Sequence, residues 1–203
     1  LGAFRVGAAG IVVVAIPVSD VGCFHGLTWV IKVYILVHSA TDTGVDLGYR
    51  SPMDKHYLSA LFTPEKLALF GASDRENSVG GIVYKNLLSS GYKGQIFAIN
   101  PKHDIVQGVK AYKSLDEILE PIDLAVVATP AATIPGIVEA CGEKGTKMML
   151  ILSAGFRETG PDGLRLEQRV TALAQRYGIR LMGPNCLGII RPDKNLNITF
   201  GHN

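Results

Sequence analysis

Lys66-Leu67-Ala68-Leu69-Phe70-Gly71-Ala72-Ser73, followed shortly by Val79-Gly80-Gly81-Ile82-Val83, is the stretch that decides how this chain folds. A short, uninterrupted apolar run ending in glycine reads as a buried parallel strand. Ile82, Val83, Leu87 and Leu88 recur at helical spacing over 79–88, and Gly91 supplies a stop. Strand, glycine turn and helix make the first half of a βαβ unit. The same alternation continues downstream, with strands expected at 95–99, 124–128, 148–152 and 179–182. Helices are expected at 132–144, ending at Gly145, and at 162–177, ending at Gly178. A shorter helix at 115–119 has Ser114 as N-cap and Glu117 three residues on, a capping-box pattern. Strands separated by such helices imply a parallel sheet, and right-handed crossovers make it an α/β, Rossmann-like doubly wound parallel sheet.

Bulk properties agree with one sizeable domain plus something smaller. Hydrophobic residues make up 47% of the 203 and charged residues 19%, a globular balance that argues against disorder. The net charge of +2 gives no support to nucleic-acid binding, which shows a basic stripe or cluster. Cys23, Cys141 and Cys186 are odd in number and far apart, matching neither a zinc site nor a disulfide framework. A reducing, cytoplasmic compartment is the simplest reading.

The first 52 residues stand apart. Two apolar runs, 11–18 and 27–37, fall short of the roughly 20 residues that span a bilayer. Arg5 precedes an apolar stretch, as in a secretory signal, but no clear small-residue cleavage site follows. Residues 41–52 read as a linker, and Met53 reads as the natural start. On that reading 1–52 is an uncertain extension, with an extra hairpin or a membrane-surface segment as the alternative. The domain then spans 53–191, and 192–203 begins a linker to a second domain.

In doubly wound sheets, ligands bind beyond the carboxyl ends of the strands. That rule selects Gly71-Ala72-Ser73, Asn100-Pro101-Lys102, Thr129-Pro130-Ala131, Ser153-Ala154-Gly155-Phe156 and Gly183-Pro184-Asn185-Cys186. Gly71 allows a sharp turn, Ser73 or Asn77 can donate to phosphate oxygens, and Gly80 and Gly81 open a helix whose amides and dipole favour an anion. These glycines are spaced more widely than in the dinucleotide fingerprint, and tight packing alone is the competing reading of them. NAD sites keep a carboxylate about 20 residues on for the ribose hydroxyl. Here that place holds Asn100-Pro101-Lys102. An ammonium group attracts a ribose phosphate, so Lys102 favours coenzyme A or NADP; a solvated surface lysine is the competing reading.

Taken together, Phe62-Thr63-Pro64-Glu65-Lys66, Phe70-Gly71-Ala72-Ser73, Val79-Gly80-Gly81 and Asn100-Pro101-Lys102 form a specific series. It continues with Asp123-Leu124-Ala125-Val126, Ser153-Ala154-Gly155-Phe156 and Gly183-Pro184-Asn185-Cys186-Leu187-Gly188. From 58 to about 200 the chain resembles the N-terminal CoA-binding domain of NDP-forming acyl-CoA synthetases. That superfamily includes the succinyl-CoA synthetase α subunit, and the same domain opens a class of synthetase-like protein lysine acetyltransferases. The resemblance implies that Ser73, Val79 and Gly80 lie along the CoA phosphates and Lys102 near the ribose phosphate. It places Thr129, Pro130 and Ala131 along the adenine and pantetheine path. Ser153, Gly155, Pro184 and Asn185 would face the thiol and an acyl phosphate, itself made from a carboxylic acid.

In that family a phosphorylated histidine in the next domain passes its phosphoryl group to the acid. None of His25, His38, His56, His103 and His202 stands in that motif, so 1–203 is expected to bind coenzyme A without turning over substrate. The partners implied are downstream synthetase domains in cis or a second subunit; a homo-oligomer stays open. An NAD(P)-binding oxidoreductase domain and a stand-alone CoA-binding module are the rival readings. Cys186 has no matching base and reads as packing, Cys141 as core, and Glu158 as a solvated carboxylate. Arg165, Glu167, Arg169 and Arg176 read as the wet face of a helix.

Overall fold

Helices cover both faces of a parallel sheet, so its central strands have no wet side and need apolar residues at every position. A computed structural model describes residues 58–201, together with the backbone of β1 (Ile11–Pro17) and β2 (Ile31–Val37). Next come α1 (Ser59–Phe62), β3 (Lys66–Phe70), α2 (Val79–Ser89) and β4 (Gln95–Ile99). They are followed by β5 (Ile105–Val106), β6 (Val109–Tyr112), β7 (Leu124–Val127), α3 (Ile134–Glu143) and β8 (Met148–Ile151). The chain then forms α4 (Pro161–Tyr177), β9 (Arg180–Met182), β10 (Gly188–Arg191) and β11 (Leu196–Thr199).

The main sheet has the order β5-β6-β4-β3-β7-β8-β9. Every ladder from β6 across to β9 is parallel, and only β5 runs antiparallel to its neighbour. From β6 to β9 this is the doubly wound order, with the chain reversing direction between β3 and β7. Side-chain alternation splits each central strand between two cores. Leu67 and Leu69, Leu124 and Val126, and Met148 and Leu150 pack on one side, with Val83, Tyr84 and Leu87 of α2. Ala68 and Phe70, Ala125 and Val127, and Met149 and Ile151 pack on the other, with Val138 of α3 and Val170 and Ala174 of α4.

Four elements escaped the sequence reading. β5 and β6 form a tight hairpin, and β10 and β11 form another, which joins β1 and β2 in an antiparallel sheet of order β11-β10-β1-β2. Residues 192–203, expected to begin a linker, contain β11, whose Leu196 and Ile198 are buried. The buried Asn86 of α2 donates through Nδ2 to the carbonyls of Thr199 (2.8 Å) and Gly201 (3.1 Å), tying that hairpin to the helix. The apolar runs at 11–18 and 27–37 contribute β1 and β2, paired from Ile11 opposite Val37 to Pro17 opposite Ile31. The expected linker at 41–52, the start at Met53, and Cys23, His25, His38, His56 and His202 lie outside the described residues.

The helix expected at 115–119 is a single 3-10 turn, Leu115–Glu117. Ser114 caps nothing, and Glu117 Oε2 accepts from the amide of Lys113 (3.0 Å) instead of closing a capping box. Ile118 is already extended, because Leu115, Ile118 and Ile122 must all reach the core before β7 and Pro121 bars further helix. Glu167 also departs from the wet face assigned to it. Its side chain is only 13% exposed and accepts from Arg157 Nε at 2.8 Å, which holds its carboxyl below the usual range. Among the described residues no helix is long and apolar enough to cross a membrane.

Because Ile198 is fully buried against α2, Ile198→Ala should cost about 2–5 kcal/mol, read as a lowered urea midpoint. A surface-like loss below about 0.5 kcal/mol would show that β11 is not part of the core.

Candidate functional site

The reversal between β3 and β7 leaves a crevice, because the loops leaving those strands turn to opposite faces of the sheet. Gly71 ends β3 at φ +89°, a region that glycine enters without strain. A Cβ there would lie 2.6 Å from the carbonyl oxygen of Ala128, at the end of β7. Gly80 is more constrained, since a Cβ on it would lie 1.8 Å from the Gly71 carbonyl oxygen. Only a bare backbone lets the first turn of α2 dock on the end of β3. Residues 73–78 therefore form a tight loop over that junction.

Ser78 is the N-cap of α2, a role missed in the sequence although serine before a helix signals it. Its Oγ accepts from the amide of Gly81 (3.1 Å) and donates to the carbonyl of Arg75 (2.8 Å). Ser73 Oγ accepts from the amide of Arg75 at 3.1 Å, which leaves its hydroxyl proton available to another acceptor. Asn77 is exposed and Val79 half-buried beside it. Asn100, after β4, donates through Nδ2 to the Ala72 carbonyl (2.8 Å). Its Oδ1 accepts from the amides of Lys102 (2.8 Å) and His103 (3.1 Å). Asn100 thus shapes the turn that carries the exposed Lys102, next to the glycine loop.

The remaining loops meet on the same edge of the sheet. Thr133 donates to the Pro130 carbonyl (2.7 Å) and shares a hydroxyl–hydroxyl bond with Thr129 (2.9 Å), which fixes the turn after β7. A Cβ on Gly155 would lie 3.0 Å from Cβ of Ala131, so the loops after β7 and β8 touch. The Ser153 carbonyl accepts from the amide of Asn185 (3.0 Å), joining the loops after β8 and β9 beside the cis Gly183-Pro184 bond. Glu158, read as a solvated carboxylate, is exposed but bonded. Its Oε1 accepts from the amides of Gly155 (2.5 Å) and Phe156 (3.1 Å).

Cys186 lies at the base of this edge, buried, with Sγ 3.4 Å from the Ile151 carbonyl. Burial pushes its thiol up to about 11, so at neutral pH it is no thiolate nucleophile. Cys141, also buried, is pushed up to about 12 for the same reason. Among the described residues no group of histidine, cysteine or acidic side chains is arranged to hold a metal.

A concavity of about 1090 Å³ opens at the opposite end of the sheet, among the segments that lead into the strands. Within it, Asp123 Oδ2 accepts from the amides of Glu65 and Lys66 at 2.9 Å, and the Tyr92 hydroxyl donates to the Pro64 carbonyl. The converging loops at the carboxyl ends of the strands, and not this hollow, form the candidate site.

A parallel sheet in this order, with a glycine turn docked under a helix N-terminus, defines the Rossmann-like class of nucleotide-binding domains. Residues 65–192 match the CoA binding domain family, and the chain belongs to it. It is 40% identical over 148 residues to the α subunit of acetate–CoA ligase (ADP-forming) I of Pyrococcus furiosus, covering 71% of this chain and 32% of that one. It is 44% identical over 137 residues to the acetate–CoA ligase (ADP-forming) of Methanocaldococcus jannaschii, covering 68% of this chain and 19% of that one. The chain thus spans a third or less of the length of these relatives. Among solved structures, the dinucleotide-forming acetyl-coenzyme A synthetase 1 of Ca. Korarchaeum cryptofilum, in complex with phosphate and ADP, matches with a TM-score of 0.68 at 35% identity. That match covers 71% of this chain and 31% of the synthetase. A crystallised Pyrococcus horikoshii OT3 protein also gives a TM-score of 0.68, at 43% identity over 70% of this chain and 33% of that one.

The junction at Gly80 is directly testable against an exposed glycine with free space around it. Gly80→Ala should cost about 3 kcal/mol through overpacking, whereas Gly136→Ala on α3 should stabilise by about 0.5 kcal/mol. Thermal melts of the two variants check both signs.

Proposed function

We propose that this chain binds coenzyme A across the carboxyl ends of β3, β4, β7, β8 and β9 and presents its thiol to an acyl phosphate. The observation that carries this reading is the end of β4, where Asn100 shapes a turn bearing an exposed ammonium, Lys102, instead of a carboxylate. A ribose phosphate is attracted there, while the ribose hydroxyl of NAD finds no acceptor carboxylate. Gly71, Ser73, Asn77, Val79 and Gly80 take the diphosphate, using the Ser73 hydroxyl and the amides opening α2. Asn100 acts by holding the turn, since its amide group is already engaged. Thr129, Pro130 and Ala131 line the path of adenine and pantetheine, and Ser153, Gly155, Pro184 and Asn185 surround the thiol end.

In this reading the chain is the CoA-binding part of an NDP-forming acyl-CoA ligase of the cytoplasm. Downstream domains or a second subunit supply the phosphohistidine and make the acyl phosphate from a carboxylic acid. Two of the relatives are named as α subunits, which supports a partner. Relatives of this same domain carry names for acetate, 4-hydroxybutyrate and ferulate chemistry, so we place the choice of acid outside it. An acetyltransferase-fused arrangement uses the same coenzyme site.

Calorimetric titration with coenzyme A, dephospho-CoA, NAD and NADP tests the reading. Coenzyme A should bind most tightly, and Lys102→Ala should weaken it about tenfold while leaving dephospho-CoA unchanged. Tighter binding of NAD than of coenzyme A would refute it.

A further inference from the structure

Three hydrogen bonds reach the glycine loop from one residue outside it. Gln107 stands in the two-residue turn between β5 and β6, where both it (φ +49°) and Gly108 (φ +76°) have positive φ, the geometry that matches hairpin twist. Its side-chain Nε2 donates to the carbonyls of Ser73 and Gly81, both at 2.9 Å. Its backbone amide donates to Asp74 Oδ1 at 2.6 Å. The side-chain amide therefore bridges the start of the loop and the first turn of α2 with both of its protons.

The position of that amide is not an accident of the turn. Glycine or asparagine is the ordinary occupant of a left-handed hairpin position, and glutamine is held there at a cost in strain. Val106 anchors the hairpin beneath, fully buried in the same core as Val83 and Tyr84 of α2. The hairpin is thus anchored in the core, and the half-buried Gln107 carries its side-chain contact to the carbonyls of Ser73 and Gly81.

We propose that Gln107 is a positioning residue for coenzyme binding, which holds the 73–81 loop in the shape that receives the diphosphate. It acts through the loop and touches no ligand itself. With Ser73 and Gly81 held at their carbonyls, the Ser73 hydroxyl and the amides opening α2 keep a fixed spacing before the anion arrives, so that binding need not order them. The proposal rests on the coenzyme A reading above.

Gln107→Gly isolates the effect, because glycine relaxes the turn and keeps the backbone bond to Asp74 while removing only the two side-chain bonds. Coenzyme A affinity should fall about tenfold with an unchanged or raised melting temperature. Gln107→Asn, which suits the turn but is one methylene too short to bridge, should show the same loss. Hydrogen–deuterium exchange without ligand should speed up about tenfold across 73–81 in both variants, with β3 and β7 unaffected. Wild-type affinity in Gln107→Gly would overturn the proposal and leave the coenzyme reading intact. Should the wild type itself not bind coenzyme A, that reading fails, and unchanged exchange in the variants would separately dispose of the clamp.

Discussion

The first turn of α2 docks on the end of β3 so closely that one methyl group at Gly80 would sit 1.8 Å from the carbonyl of Gly71. Much of the loop-bearing edge of the sheet depends on that contact. With the helix start held over the strand end, residues 73–78 must fold outward as a short loop, and Ser78 closes its far side by capping the helix. The helix dipole then faces the crevice formed where the chain reverses between β3 and β7. Gly81 repeats the constraint one residue on, since a Cβ there would lie 2.1 Å from the Arg75 carbonyl.

The two cores keep this junction in place. Central strands buried on both faces give a stiff platform, and the loops leaving their carboxyl ends are short and hydrogen-bonded to one another. Asn100 ties its turn to Ala72, Ser153 ties to Asn185, and Gln107 spans from the β5–β6 hairpin to the start of the glycine loop and the first turn of α2. The polar residues that looked like ligand contacts in the sequence divide into two kinds. Ser73 and Lys102 keep free donor capacity, whereas Asn100 is used up in building the turn that presents Lys102. Tyr84, beneath the loop, has a buried hydroxyl with no partner among the described residues. Burial, and then Asp74, push it up to about 12, so it stays neutral.

The strands β3, β4, β7 and β8 and the helices α2, α3 and α4 were legible because their signals are local. Continuous apolar runs, helical periodicity and glycine stops need no knowledge of neighbours. Ser114 and Glu117 matched a capping pattern, yet Ile118 had to turn inward and only one 3-10 turn remained. Both overlooked hairpins are short, and neither alternates strongly enough to stand out. The signal for Gln107 was present but weak: a residue followed by glycine, between β-branched neighbours, marks a hairpin turn.

By itself the sequence determined the fold class, the edge of the sheet on which the candidate loops gather, and the absence of a carboxylate where NAD-binding proteins keep one. These follow from residue order alone, because strand polarity decides which loops share an edge. Only the tertiary structure decided which side chains remain free to meet a ligand and which are spent on holding the loops. It also decided that β11 belongs to the core and that Gln107 reaches Ser73 and Gly81. Such contacts join residues far apart in the chain, and their partners are set by packing across the sheet, which no local pattern encodes.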